Sequence, residues 1–305
     1  MSLVNEAEPI TAPETTRDHA QPHEALFWRR AALWGSAHGP RWFARYAPPV
    51  IGWVAAACVP SARRAVQRNL HRVRGPASPL RDTRDVLATF GAYASCLAEV
   101  LSNESPDGPK APRAVVRGER FVRPIARSGQ GMVIVTAHTA GWEVIGPLLG
   151  KEYGLDLMLV THPEPNARAG RLQDEARRRG GVKVAHVGDA LSSLPLLRHL
   201  REGGVIALQL DRVVPGMRTR EVPLLGRKGA VPAGPFRLAQ LAGVPVVPIF
   251  CARQGHRSDR IDASEPRRIP RRASEAEIDA VAAHVAGCMT TFLRAYPTQW
   301  FQFGT

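Results

Sequence analysis

Hydrophobic and polar positions change rhythm once along the chain, across the Pro/Gly/Asp-rich stretch Asn103–Pro112. Before it the spacing is helical. From Ala25 to Ser61, Phe27, Trp28, Trp34, Trp42, Phe43, Tyr46 and Trp53 are interleaved with arginines. Ser61–Val73 follows with apolar positions at helical spacing and a serine placed to cap them, and Thr83–Leu101 sets Val86, Leu87, Phe90, Tyr93, Ala94 and Leu97 on one side. After the stretch, short apolar runs appear at Met132–Ala137, Leu155–Val160, Val182–Val187, Val205–Leu210 and Val244–Phe250. Helical stretches lie between them, notably Ala167–Arg179 and Ala190–Arg201, the latter ended by Gly203-Gly204. This alternation predicts an α/β fold, a mostly parallel sheet flanked by helices. Ser274–Ala295 is the clearest helix, with Ser274 and Glu277 as a capping box and a stripe from Ile278 to Leu293 for the core. Residues 1–22 lack periodicity and read as a disordered tail. The remainder, 23–305, reads as one domain: a helical part over 23–102 and an α/β core over 113–305.

The stretch Met132–Pro147 (MVIVTAHTAGWEVIGP) concentrates the candidate chemistry. An apolar strand ends at His138, Gly141 loosens the backbone, and a helix is predicted to start near Trp142. Ligands of open α/β sheets bind at the carboxyl ends of the strands, which is where His138 falls. Glu143 is five residues on, which misses the shared-face spacing of a regular helix. The two can meet only with His138 in the turn and Glu143 in the first helical turn. A carboxylate there would hold one imidazole nitrogen while the other accepts a proton. The plain alternative is a structural histidine.

A second cluster covers 209–236. The strand Val205–Leu210 ends in Asp211-Arg212, again at a carboxyl edge, and a loop follows with Arg218, Arg220 and Glu221. Glu221 falls in the loop expected to close over His138. Gly226-Arg227-Lys228-Gly229 offers cations on a flexible backbone, suited to a phosphate or else a solvated turn, without the spacing of a P-loop. No G-x-S-x-G, G-x-G-x-x-G or H-E-x-x-H pattern occurs. His162, His186, His199 and His284 have no companion at metal spacing, so no metal is expected.

Composition narrows the partners. Among 305 residues, 44% are hydrophobic, and 41 Lys+Arg against 27 Asp+Glu give a formal charge of +14. Such a surface suits a phosphate-bearing partner: an anionic membrane, nucleic acid or an acidic carrier. The longest apolar run, Pro48–Val59, is shorter than the ~20 residues a span needs. Aromatics beside arginines over Ala25–Ser61 instead match an interfacial helix, or an amphipathic helix packed on its own domain. Cys58, Cys96, Cys251 and Cys288 are far apart and read as reduced thiols.

HTAGWE, taken with the later segments, resembles the bacterial lysophospholipid-acyltransferase-like superfamily, in the branch of lipid A late acyltransferases (lauroyl and myristoyl acyltransferases) and phosphatidylinositol mannoside acyltransferase. His138 and Glu143 match the family's H-x4-[D/E] motif (HX4E here), with Trp142 as in the lipid A branch. Asp211, Arg212, the run Glu221–Arg227 and Gly234-Pro235 match its second block. Pro297–Trp300 matches its closing P-x-Q-W, and Arg64–Leu70 its R-x-x-x-x-N-L pattern.

The resemblance implies a glycerol-3-phosphate-acyltransferase-like fold with a membrane-facing helical N-terminal part. It implies transfer of a fatty acyl chain from acyl-CoA or acyl-ACP to a hydroxyl or amine of a membrane (glyco)lipid such as a lipid A precursor. The place would be the cytoplasmic face of the inner membrane, peripherally. His138 would be the general base, oriented by Glu143 or Glu221. Trp142, Asp211, Arg212, Arg227 and Lys228 would contact substrate. A thioester is already activated, so no cofactor is expected, and nucleic acid is not an expected partner. The rival readings are a non-catalytic basic protein that binds membrane or nucleic acid, and an acyl-thioester hydrolase.

Overall fold

The computed structural model describes residues 41–102, 113–162, 167–186 and 193–304. The expected tail, the linker over 103–112 and the first aromatic residues, Phe27 to Trp34, lie outside the described residues.

Three helices open the described chain: α1 (Arg41–Cys58), α2 (Pro60–Arg74) and α3 (Pro79–Ser102). Helix α2 starts one residue before the expected Ser61, with proline in its first turn and no side-chain cap. Proline's fixed φ suits a first helical turn, and its missing N–H would have had no intrahelical partner there. The three pack through Ala56, Val66, Leu70, Val86 and Phe90. Glycine is required at position 52, where a Cβ would stand 2.4 Å from the Phe90 carbonyl oxygen. The α2–α3 join is pinned by Asp82, which accepts from Arg74 at 2.6 Å and meets His71 at 2.7 Å. Arg74 foremost, then His71, holds that carboxyl down at about 2.

Beyond these, strands and helices alternate: β1 (Arg113–Arg117), α4 (Glu119–Arg127), β2 (Met132–Thr136), α5 (Trp142–Tyr153), β3 (Leu157–Thr161), α6 (Ala167–Arg179), β4 (Lys183–His186), α7 (Ser193–Arg201) and β5 (Val205–Gln209). A hairpin, β6 (Thr219–Leu224) and β7 (Arg227–Pro232), precedes α8 (Gly234–Ala242), β8 (Val246–Gly255), β9 (Ser258–Ala263) and α9 (Glu275–Ala295). The seven-stranded sheet runs β1-β9-β8-β2-β5-β3-β4, and every pairing in it is parallel except β8–β9. The protein is thus a mixed α/β structure with a mostly parallel sheet.

Both faces of the sheet are covered, which explains why its central strands read as continuous apolar runs. Along β2 every residue is buried. Val133 and Val135 join the core under α7, α8 and α9, while Met132 and Ile134 join the core under α4 and α5. The capping box of α9 is present: Ser274 Oγ accepts from the Glu277 N–H, and the Glu277 carboxylate accepts from the Ser274 N–H at 2.7 Å.

The segment expected as a flexible cationic loop is instead the β6–β7 hairpin. Leu225 and Gly226 form its tip with φ of 54° and 80°, and Leu224 pairs with Arg227. Positive φ at both tip residues gives the twist that two-residue hairpins require. Arg227 and Lys228 are therefore exposed strand residues rather than a glycine-rich cradle. The hairpin packs on α9: Arg220 donates to Asp279 at 2.9 Å and also binds Glu275, and Thr290 Oγ1 accepts from the Leu225 N–H at 3.2 Å.

Candidate active site

Strands β2 and β5 are neighbours in the middle of the sheet, and their registered pairing (Thr136 opposite Gln209) brings the residues after them together. The Leu210 N–H still donates to the Thr136 carbonyl at 2.9 Å, so the ladder extends past both strand ends before the chains part. His138 follows one strand and Asp211 the other. Their side chains meet with Nδ1 of the ring 2.8 Å from Asp211 Oδ1, and the same oxygen accepts from the His138 main-chain N–H at 3.1 Å. The turn is tight, with the Thr139 N–H donating to the Ala137 carbonyl. Gly141, at φ 80°, then redirects the chain into α5.

The end of the chain completes the site. Trp300 Nε1–H donates to Asp211 Oδ2 at 2.8 Å, across 89 residues of sequence. Thr139 and Trp300 form an antiparallel bridge, the Phe301 N–H donates to the His138 carbonyl at 2.7 Å, and the Ala140 N–H to the Gln299 carbonyl at 3.2 Å. Gln299 is itself fastened to β8: its Oε1 accepts from the Arg253 N–H at 2.6 Å and its Nε2 donates to the Arg253 carbonyl at 2.9 Å.

The two partners differ in burial and charge. The Asp211 side chain is 0% exposed and that of His138 is 25% exposed. Burial alone would push the Asp211 carboxyl up. The His138 ring, the Trp300 donor and Arg212 outweigh it and hold the group below its ordinary value, as a carboxylate. Among the described residues Asp211 is the group that holds the ring. A carboxylate on Nδ1 selects the tautomer with Nε2 as the basic nitrogen and stabilises the imidazolium.

Other histidines also touch carboxylates but belong to packing. His71 with Asp82 serves the α2–α3 join, and His186 with Asp174 (2.8 Å) ties edge strand β4 to α6. Cys96 and Cys251 are no candidate nucleophiles: burial pushes the Cys96 thiol up to about 12 and raises Cys251 well above the ordinary thiol. Among the described residues no cluster of His, Cys, Asp or Glu could hold a metal ion.

The expected site residues fare differently. Asp211, expected to contact substrate, is instead buried behind the His138 ring, in the place expected for a glutamate. Glu221 is an exposed residue of β6 opposite Ala230, in the hairpin that packs on α9. Glu143 and Trp142 open α5, and their side chains lie outside the described residues. Arg212, also expected on substrate, holds the chain's end: its Nε donates to Gln302 Oε1 at 2.8 Å and its second nitrogen to the Phe301 carbonyl at 2.9 Å.

Sequence reasoning missed Trp300 as a partner of Asp211. The only signal for it was its place in the P-x-Q-W segment.

Comparison with known proteins bears on what this arrangement does. Residues 13–304 match the family described as "Bacterial lipid A biosynthesis acyltransferase". The chain is similar to the phosphatidylinositol mannoside acyltransferase of Mycolicibacterium smegmatis, 24% identical over 241 residues, covering 77% of this chain and 76% of the relative. The protein of the same name from Mycobacterium tuberculosis is 24% identical over 223 residues, covering 71% of this chain and 65% of the relative. The strand-end histidine with its buried carboxylate therefore sits in a chain that belongs to the bacterial lipid A biosynthesis acyltransferase family.

Proposed function

We propose that this acyltransferase moves a fatty acyl chain from a thioester, acyl-CoA or acyl-ACP, to a hydroxyl or amine of a membrane glycolipid. The observation that carries the reading is the hydrogen-bonded chain from Trp300 through Asp211 to His138, with 2.8 Å between partners at each link. His138 Nε2 takes the proton of the acceptor hydroxyl as its oxygen attacks the thioester carbonyl. When the tetrahedral intermediate collapses, the carbon–sulfur bond breaks and the imidazolium returns the proton to the departing thiolate. Asp211 orients the ring and balances its transient charge. The first turn of α5 begins four residues after His138, and its backbone N–H groups, which have no intrahelical acceptor, would serve as donors to the oxyanion. Glu143 in that turn is retained as a second acid at the site, and Trp142, Arg227 and Lys228 as substrate contacts. No cofactor takes part in this scheme, because the thioester is already activated.

Helix α1 supports work at a membrane surface. Trp42, Phe43, Tyr46, Val50, Trp53 and Val54 are all exposed and, at helical spacing, fall within about a third of the circumference. Among the described residues no helix is long and apolar enough to cross a membrane. A helix lying in the headgroup layer uses aromatic rings and flanking arginines in this way. We place the protein peripherally on the cytoplasmic face of the inner membrane, where acyl thioesters are available.

The test is thioester consumption by purified protein with and without bacterial polar lipids. New acylated lipid by mass spectrometry, absent with His138→Ala, is the expected result and identifies the acceptor. Thiol release without acylated lipid would replace the transferase reading by hydrolysis. Consumption that persists in His138→Ala would remove the base from the mechanism.

A further inference from the structure

The end of the chain does more than cover the site, and the geometry points to Trp300 as the positioning residue that sets the basicity of the Asp211–His138 pair. This rests on the proposed role of His138 as base. An indole N–H can only donate. Here it is buried, since Trp300 is 7% exposed, and its partner is one oxygen of a carboxylate whose side chain is 0% exposed. The other oxygen already accepts twice from His138. Oδ1 and Oδ2 are thus held by one segment that precedes Asp211 by 73 residues and one that follows it by 89, and the carboxylate plane is defined by donors on both sides.

Removing the Nε1–H leaves Oδ2 as a buried anionic oxygen without its donor. Such an anion is less stabilised, so it binds the proton shared with the imidazole more firmly. The sign follows: the ring keeps its proton to higher pH, and the fraction of enzyme with a free base falls. A residue that only filled space would lower activity without moving the titration.

The strap that carries Trp300 is registered independently of that bond. Arg212 grips Phe301 and Gln302, Asn69 Nδ2 donates to the Gln302 carbonyl at 2.8 Å, and Gln302 Nε2 donates to the Asp211 carbonyl at 3.2 Å. Phe301 and Phe303 stack edge-on against Tyr93, with centroids 5.3 and 4.9 Å apart. Loss of the indole donor alone therefore leaves several contacts to keep the strap in place.

The experiment compares Trp300→Phe with Gln302→Leu in the full chain. The His138 ring is titrated by NMR in isotope-labelled protein, with His138→Ala to assign its signal, and the pH profile of kcat/KM is recorded beside it. Trp300→Phe is expected to raise the ring titration and the acidic limb together by about half to one pH unit. It should lower kcat about tenfold with little change in KM. Gln302→Leu, which loosens the strap but keeps the indole donor, is expected to leave the ring titration in place. An unmoved titration in Trp300→Phe, or an equal movement in both variants, overturns the proposal. If Trp300→Phe does not fold, Trp300→3-benzothienylalanine keeps the ring system without the N–H and carries the same expectation. The NMR reading needs no acyl donor, so failure of this inference is distinct from failure of the acyl-transfer reading.

Discussion

At the scale of single residues, the site is a histidine whose useful nitrogen is selected by what holds the other one. Replacing His138 by alanine removes the proposed base and is expected to lower kcat by about 10²-fold or more, with the native fold retained by circular dichroism. Asp211→Asn keeps the shape but presents an amide to Nδ1, which permits the wrong tautomer and loses the charge that stabilises the imidazolium. Its kcat is expected to fall by about 10²–10⁴-fold with KM nearly unchanged. Glu221→Gln, exposed on β6, serves as the contrast: activity within about threefold of wild type is the expected outcome, and a loss as large as that of Asp211→Asn would restore Glu221 as the orienting acid.

A second buried acid has a different consequence. Asp259 on β9 is 2% exposed, neither oxygen has a hydrogen-bond partner among the described residues, and it presses on Gly141, where a Cβ would stand 2.7 Å from Oδ1. Burial first, then the nearby Glu99, push its carboxyl up to about 7, against the opposing pull of Arg253 and Arg257. Between the ordinary carboxylate value and 7 the folded protein thus holds a proton that the unfolded chain has released. Stability from this group is complete at low pH and is lost as pH rises to about 7. Asp259→Asn abolishes that slope. Denaturant titrations should show the variant gaining roughly 3 kcal/mol on wild type between pH 4 and pH 8. Parallel curves for the two proteins would mean that Asp259 is ionised throughout.

At the scale of elements, helix α1 faces two ways. Its Gly52 lets α3 approach closely, while its exposed rings face outward. Gly52→Leu must displace the Phe90 backbone, and a loss of about 1–3 kcal/mol is expected by denaturant titration. The paired change Trp42→Ala with Trp53→Ala removes two rings that are 64% and 47% exposed, the second lying partly against Gly91 of α3. It should cost about 1 kcal/mol of stability or less and weaken binding to anionic vesicles in a sedimentation assay by about tenfold or more. Unchanged vesicle binding would remove α1 as the proposed membrane contact. The β6–β7 hairpin shows the limit of reading elements from sequence. Its strands are short and polar on the exposed side, and the tip has leucine where asparagine or glycine usually signals the turn.

At the scale of the molecule, the chain's end ties three parts together. Phe303 stacks edge-on against Phe90 of α3 at 5.0 Å, Gln299 is fixed to β8, and Trp300 reaches Asp211 after β5. Glu99 of α3 adds a second tie, accepting from Arg253 of β8 at 2.7 Å and from the Arg257 N–H at 3.0 Å. Truncation after Tyr296 is therefore expected to abolish activity and to lower the melting temperature of the whole chain, as measured by calorimetry.

What the sequence determined by itself are the features written in local periodicity. The five apolar runs became five strands of the sheet, with ends shifted by a few residues and β8 running on to Gly255; in all but the edge strand β4 the reason is that strands covered on both faces need nearly uninterrupted apolar side chains. The capping box and stripe of α9 were legible because both are set by spacing within one helix. His138 was legible because a polar residue ending such a run marks a strand's carboxyl edge. The tertiary structure decided the rest. Which acid meets His138 depends on strand order, and β5 lies beside β2 although 73 residues separate Asp211 from His138. Local sequence offered Glu143, five residues away, or Glu221 in a later loop, yet the parallel register of β2 with β5 aligned the ends of both strands and brought Asp211 to the ring. Trp300 could join only once α9 had returned the chain's end to that edge. Local pattern specifies which face of an element is buried; which side chains from distant elements then touch is decided by how the sheet is ordered.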